Sequence, residues 1–298
     1  MRYRPLGPSG AVVSAISLAL KPDRKMRARD WSALVFAALE NGVNAFEAQG
    51  DDPELIEGMA QALSAVERRL VFLGWRPGPE GDVVSPETLD AAIRGFVGQS
   101  GLGSLDLVSL SVTAAEKMPN AAFDVLRALK RAGDLRFIGV GGQDARVDAQ
   151  VASGAFDLLT TPFGLTSGWK ERNRLRAAAE REVAVIGVEP YLRDFHQSAA
   201  AASRDLKSTR PHDALAGIGA WSFLDGTEGW TAEEICIGYV LTEPSLSSVQ
   251  VETTDVRHLE ALARVPDREL PQGLPAQIEM ARFMPPPEPP AQHRRRRA

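Results

Sequence analysis

The sequence predicts an α/β protein in which eight βα units close into a parallel (β/α)8 barrel. Short runs rich in valine, isoleucine or leucine alternate with amphipathic helical segments along most of the 298 residues. That length suits the roughly 250 residues that eight such units need. No Gly-x-Gly-x-x-Gly motif follows the first strand, which disfavours the alternative, an open doubly wound sheet with a dinucleotide crevice.

Eight segments have the short apolar composition of buried strands, and helical patterns with recognisable ends separate them. Asp30 is expected to cap the helix that ends before Gly42, Ser85 to open the helix at Pro86, and Gly133 to end a third. The predicted strands are 12–17, 43–47, 70–75, 105–111, 135–140, 156–161, 183–188 and 246–251.

Two segments fall outside this repeat. Residues 190–230 form a long βα connection, which is typical of active-site loops. Residues 284–298 are rich in proline and arginine, and we expect a disordered tail that is either a solvated terminus or a handle for docking or degradation. The predicted organisation is therefore a single barrel domain over 1–283 followed by this tail.

Composition restricts the class of protein. With 44% hydrophobic and 24% charged residues, the chain is neither disordered throughout nor rich enough in apolar runs to span a membrane. A formal net charge of -5, which includes four arginines at 294–297, disfavours nucleic-acid binding. One cysteine, Cys236, and a start without a signal peptide predict a cytoplasmic protein. Barrel helices account for the apolar faces, so a monomer is expected.

Polar side chains follow most of the predicted strands, where barrel enzymes keep their chemistry. None of the four histidines (196, 212, 258 and 293) ends a strand, so a metal cluster is not expected. Cys236 lies on the apolar side of a helix and is expected to be core. The strand ends carry Glu47, Asp51, Asp52, Arg76, Ser111, Gly141, Gly142, Thr160, Thr161, Glu189, Glu252, Thr253 and Thr254.

Several separate segments resemble the aldo-keto reductases in order and spacing over about residues 1 to 265. They are MRYRPLGPSGAVVSAISLAL, ALENGVNAFEA, LVFLGW, LDLVSLS, LRFIGVGG, VAVIGVEP and VLTEPSLSSVQV. The resemblance implies a (β/α)8 barrel that binds NADPH or NADH across its carboxyl face. It also implies hydride transfer to a carbonyl, with a tyrosine as proton donor assisted by a lysine, an aspartate and a histidine.

All four of those catalytic positions are changed in this chain. The resemblance places Glu47 at the aspartate, Asp52 at the tyrosine, Arg76 at the lysine and Ser111 at the histidine. An arginine stays protonated and cannot tune a proton relay, and an ionised carboxylate cannot protonate an alkoxide. We therefore expect no catalytic residues and a catalytically inactive homologue.

The cofactor positions implied by the resemblance are changed too. Glu252 stands where NADPH enzymes place a cation against the 2'-phosphate, so NAD(H) should be preferred over NADP(H). Arg257 and His258 either hold the adenosine end or form a solvated helical turn. Gly141, Gly142 and Thr160 fall at the carboxamide contacts, Val188 at the stacking position, and Glu189, Pro190 and Thr253 complete the implied cofactor site.

Three functional hypotheses follow. The first is an NAD(H)-binding regulator that acts through protein partners; the resemblance to degenerate members of the family implies the division protein FtsZ and a cell-fate histidine kinase. The second is a lyase or isomerase with Glu47, Asp51 or Asp52 as base and Arg76 as anion clamp, although Asp52 before Pro53 also fits a helix cap. The third is an atypical NADH-dependent carbonyl reductase that uses Tyr191.

Overall fold

The barrel predicted from the sequence is confirmed, and the open sheet is excluded. The computed structural model describes residues 1–78, 85–191, 224 and 227–283, so the predicted tail and most of the 190–230 connection lie outside the described residues. Eight parallel strands close on themselves in chain order, with the last strand paired to the first. They are β3 (Ile16–Leu20), β4 (Ala45–Gln49), β5 (Phe72–Arg76), β6 (Leu105–Ser111), β7 (Leu135–Gly141), β8 (Leu158–Pro162), β9 (Ala184–Val188) and β10 (Ser248–Glu252).

Helices surround this barrel and bury the outer faces of its strands. Leu34 and Met59 are among the buried residues of the layer between the strands and the helices. None of the described helices is both long enough and apolar enough to cross a bilayer. The described helices are α1 (Ala28–Glu40), α2 (Pro53–Leu63), α3 (Pro86–Ser100), α4 (Val112–Lys117), α5 (Asn120–Ala132), α6 (Ala145–Ala152), α7 (Trp169–Glu180), α8 (Ala232–Val240), α9 (Val256–Arg264) and α10 (Leu274–Phe283).

The first predicted strand is wrong in its bounds. Residues 12–17 divide at Ala15 into two strands. Before this point, β2 (Val12–Ser14) pairs antiparallel with β1 (Tyr3–Pro5), whereas β3 belongs to the barrel and continues to Leu20. The apolar run was read as one strand because periodicity does not record which partner each residue pairs with.

Four other strands begin two residues later than predicted, at 45, 72, 158 and 248. The side chains of Val43, Phe156 and Leu246 are buried in the core although they precede their strands. Apolar character therefore indicates that a residue is buried, and does not show that it belongs to a hydrogen-bonded strand. Strand β4 spans Ala45–Gln49, so Glu47 lies inside the strand rather than at its end.

One predicted helix end is wrong and two are confirmed. Helix α1 begins at Ala28, so Asp30 lies in its first turn, where its carboxylate accepts a hydrogen bond from the Arg27 amide at 3.0 Å. Ser85 caps α3 as predicted, since its hydroxyl accepts from the Thr88 amide at 3.2 Å. Gly133 ends α5 in the left-handed conformation, also as predicted.

The barrel interior changes from apolar at its amino end to polar at its carboxyl end. Ala45, Phe72 and Leu107 belong to an apolar cluster at the amino end. Two residues further along β4, the side chain of Glu47 points into the same interior, because alternate residues of a strand share a face. Gly74, paired with Glu47, adds no side chain to this level. The polar residues at this level therefore form the floor of the barrel mouth.

Candidate functional site at the carboxyl end of the barrel

A pocket of about 710 Å³ opens at the carboxyl ends of the strands. This volume falls within the roughly 300–1,000 Å³ of small-molecule sites. A second pocket of about 430 Å³ shares Gln143, Pro162, Glu189 and Tyr191 with it, so the two form one groove. Of the residues singled out from the sequence, the larger pocket is lined by Arg76, Gly141, Gly142, Thr160, Val188, Glu189, Pro190, Tyr191, Glu252, Thr253 and Thr254.

Glu47 and Arg76 form an ion pair at the floor of the pocket. The Glu47 side chain is only 5% exposed, and its carboxylate accepts from Arg76 Nη2 at 3.2 and 3.4 Å. Gln250 Nε2 donates to the same carboxylate at 3.1 Å. These three residues come from β4, β5 and β10, so only closure of the barrel brings them together.

The other two positions that the resemblance compared with catalytic residues hold helix caps. Asp52 caps α2, with its carboxylate accepting from the Leu55 amide at 2.9 Å and Pro53 as the first helical residue. Ser111 ends β6 and caps α4, since its hydroxyl accepts from the Ala114 amide at 3.0 Å. Neither Asp52 nor Ser111 lines the pocket.

The two glycines after β7 differ in what they offer a ligand. The amide of Gly142 donates to the Thr160 carbonyl at 3.1 Å, so the expectation from the sequence that this amide serves a ligand is not supported. A β-carbon on Gly141 would lie 3.6 Å from Arg76 Nη1. The guanidinium of Arg76 therefore reaches from Glu47 across to β7.

A strained corner forms the pocket wall after β9. Glu189 adopts a positive φ of 50°, which is uncommon for a residue with a side chain. Pro190 follows it, and its carbonyl oxygen would lie 2.9 Å from a β-carbon on Gly164. Gly164 is thus required by the close approach of this corner, which holds Val188, Glu189 and Pro190 at the pocket wall.

Glu252 is ion-paired at the rim of the pocket. Its carboxylate contacts Lys21 Nζ, with both side chains about half exposed. Their contact is possible because β10 pairs with β3, so that Glu252 lies opposite Ala19, two residues before Lys21. The sequence alone suggested that Glu252 is an isolated negative charge. In the structure, Lys21 offsets that charge.

Arg257 and His258 lie in the first turn of α9, and neither lines the described pockets. Asp255 caps that helix and accepts from both of their amides. The imidazole of His258 lies 3.0 Å from Thr253 Oγ1 and 2.7 Å from Glu233 Oε2. The hydrogen bond with Glu233 raises the pKa of His258 above its usual value. Its ring is therefore engaged within the protein, which favours the helical-turn interpretation over direct contact with an adenosine.

Tyr191 lines the pocket and packs against two of the apolar clusters of the core. Burial raises the pKa of its phenol above the ordinary value, and the neighbouring Glu233 raises it further. A phenol with a raised pKa is a weaker acid than one activated by a lysine, so this environment does not favour proton donation.

Sequence reasoning missed several pocket residues because it placed strand ends too early. With β3 ending at Leu20, Lys21 and Asp23 follow the first barrel strand; with β4 ending at Gln49, that side chain reaches the pocket. Gln250 was hidden inside a predicted strand. Extending the first apolar run to Leu20 would have found Lys21 directly after it.

Cys236 is buried, as the sequence predicts. Within the described parts of the chain, no group of three or more histidine, cysteine, aspartate or glutamate residues has the geometry to hold a metal ion. No known protein family matches this chain, and no curated protein has significant sequence similarity to it.

Proposed function

We propose that this barrel binds NAD(H) in the groove at its carboxyl end without reducing carbonyl substrates, and that it acts as a regulator. The observation that carries this proposal is what the side chains do at the four positions that the resemblance compares with catalytic residues. Glu47 and Arg76 neutralise each other, whereas Asp52 and Ser111 cap helices. Each side chain has a structural role that opposes proton transfer to a bound carbonyl.

The groove supports a dinucleotide through its shape and its polar groups. Its two connected pockets suit an extended ligand, and Lys21 supplies a cation at the rim. Gln49 and Gln143 add neutral polar side chains to the same lining. These features are general to nucleotides, so the choice of NAD(H) still depends on the resemblance to aldo-keto reductases.

The proposed partners depend on that resemblance alone. Among degenerate members of the family, the chain resembles KidO, a regulator of cell division in alphaproteobacteria. By this analogy, the candidate partners are FtsZ and a cell-fate histidine kinase. Co-sedimentation of purified FtsZ polymers with the protein, with and without NADH, tests the first of them.

Ligand titration and turnover assays test the proposal directly. Calorimetry with NADH, NADPH and NAD should give saturable NADH binding and weaker NADPH binding. A panel of aldehydes and ketones incubated with the protein and NADH should show no oxidation of NADH above the rate without protein. Robust carbonyl reduction would overturn the inactive barrel, and the absence of any dinucleotide binding would overturn the ligand assignment.

An atypical reductase is the second candidate function, because Tyr191 lines the same pocket and carries a phenol that can donate a proton. If carbonyl reduction is found, Tyr191→Phe distinguishes the source of the proton. General acid catalysis contributes about 10² to 10⁴-fold, so the variant should lose activity of that order if Tyr191 is the donor. The lyase or isomerase hypothesis is less favoured because the Glu47 carboxylate is already bonded to Arg76 and Gln250.

A further inference from the structure

Trp169 presents its indole to solvent at the start of α7. It is 78% exposed, more than any other large apolar residue among those the structure describes. A single exposed apolar residue needs no explanation, but Trp169 also lines a cleft of about 280 Å³ between α6 and α7, which we call the α6–α7 cleft. Val151 and Ala152 on α6 and Ala177 on α7 give this cleft an apolar wall. Its volume is just below the roughly 300–1,000 Å³ of small-molecule sites, so it suits the side chains of a peptide better than a separate small ligand.

The α6–α7 cleft also carries positive charge that the described residues do not neutralise. Arg174 is buried and paired with Asp148, so it has no charge to offer an occupant. Lys170 and Arg181 line the same cleft, and neither has an ion-pair partner within the described ranges of the chain. An occupant that complements this surface therefore combines apolar groups with an anion.

Helix α10 brings the end of the described chain close to Trp169. Glu279 on α10 accepts a hydrogen bond from Arg172 Nη2 on α7 at 3.0 Å. Arg172 follows Trp169 by three residues, and side chains at this spacing are neighbours on a helix surface. Helix α10 ends at Phe283, about one turn after Glu279. The segment that follows Phe283 therefore begins near the same face of α7.

Residues 284–290, with the sequence MPPPEPP, have the composition that the α6–α7 cleft calls for. Proline-rich segments favour the polyproline II conformation, which docks on exposed aromatic side chains at little entropic cost. Glu288 is the one charged residue of this segment, and it is an anion. At about 3.1 Å per residue, residues 285–290 span about 19 Å, and the 12 residues of α7 rise by about 18 Å. The segment is therefore long enough to lie along α7.

We propose that residues 285–290 dock in the α6–α7 cleft of their own chain, with proline rings against the indole of Trp169 and the Glu288 carboxylate paired with Lys170. Attachment through α10 gives the segment an effective concentration on the order of millimolar at the cleft, which favours docking within one chain over docking on a second copy. Trp169 lines neither pocket at the barrel mouth, so its contact with the segment is independent of nucleotide binding.

The indole Nε1–H signal of Trp169 in the ¹H–¹⁵N NMR spectrum of the full chain tests the docking, with Trp169→Phe to assign it. Deletion of residues 284–298 should shift this signal. The triple variant Pro285→Ser/Pro286→Ser/Pro287→Ser should move it toward the position in the shortened protein, because serine does not favour polyproline II. These changes lie at an exposed side chain or outside the barrel, so a dispersed spectrum shows that each variant is folded.

The matched control changes the tail but keeps its prolines. Serine at all four of the positions 294–297 removes the arginines and leaves residues 284–290 intact. The Trp169 signal should then stay where the unaltered protein has it. A shift as large as that caused by deletion would mean that the arginines, rather than the proline-rich segment, contact the cleft.

Charge reversal tests the proposed ion pair. Lys170→Glu should lower the ratio of docked to free segment about fivefold, as expected for loss of one exposed ion pair, and move the Trp169 signal toward that of the shortened protein. The double variant Lys170→Glu/Glu288→Lys should restore the signal, which a purely local effect of position 170 would not do. A signal that the double variant fails to restore would overturn the pairing of Glu288 with Lys170.

Two further outcomes would overturn docking within one chain. An identical Trp169 signal in the full and the shortened protein would show that the α6–α7 cleft does not hold the segment. A difference between them that disappears on dilution would assign the segment in the cleft to a second copy of the chain.

Discussion

Glu252 ends β10 and Lys21 directly follows the adjacent β3, and their ion pair at the pocket rim changes the effect of a charge at position 252. A carboxylate there would repel a 2'-phosphate by itself. Paired with Lys21, its charge is partly offset, so the repulsion is weaker than the residue type alone implies. Under the proposed function, we therefore expect the preference between NADH and NADPH to depend on both residues of the pair.

We predict that Glu252→Gln raises NADPH affinity relative to NADH by about fivefold, since one exposed charge contact contributes ~1 kcal/mol in water. The released Lys21 then faces the phosphate. Lys21→Gln should change the ratio in the opposite direction, and Glu252→Lys should raise it most. Fluorescence titration of both nucleotides measures the ratio, and an unchanged ratio in all three variants would show that this rim does not face the ribose.

His258 gives a pH dependence whose direction follows from its contact with Glu233. The hydrogen bond raises the pKa of His258 in the folded protein above 6.5. The stabilisation is therefore complete below the unfolded value of about 6.5 and is lost as the pH rises through the folded value. The unfolding midpoint of the unaltered protein should exceed that of His258→Gln most at pH 5.5 to 6 and least above pH 8. A difference that grows with pH would contradict this assignment.

At the scale of elements, the contact between α1 and α2 depends on Gly58. A β-carbon at this position would overlap the Ala28 carbonyl oxygen and lie 2.6 Å from Trp31 Cβ. Both contacts involve the backbone or its first side-chain atom, so no flexible group can move aside. The two helices following β3 and β4 can pack this closely only because position 58 lacks a side chain.

We predict that Gly58→Ala lowers the free energy of unfolding by about 1 to 3 kcal/mol, the usual cost of overpacking. Gly95→Ala in α3 is the matched control, because nothing lies within 4 Å of its added β-carbon. Alanine should stabilise that helix by about 0.5 to 1 kcal/mol. Urea unfolding of both variants measures the two changes, and equal effects would contradict the packing argument.

At the scale of the whole molecule, the described lining of the pocket comes from many parts of the chain. Its walls come from strands at both ends of the chain, with β10 joined to β3. We expect deletion of residues 284–298 to leave NADH affinity unchanged, as calorimetry can measure. If the shortened protein also retains every protein interaction and its cellular lifetime, the tail serves only as a solvated terminus.

Much of the architecture followed from local patterns. Alternating apolar runs predicted eight strands, and the Asp52-Pro53 and Ser85-Pro86 pairs predicted two helix starts, because caps and strand periodicity depend on neighbouring residues. The exact strand ends were less predictable, since residues such as Val43 and Leu246 are buried without joining the ladder.

The sequence by itself predicted the barrel and offered Asp52 as a helix cap, since each depends on residue type and local spacing. Only the tertiary structure decided how the charges are shared. Glu47 accepts hydrogen bonds from both Arg76 and Gln250, and Lys21 pairs with Glu252. The contacts that involve β10 exist because closing the sheet places the first and last strands side by side. Electrostatic partners depend on distance in space, which local sequence patterns do not record.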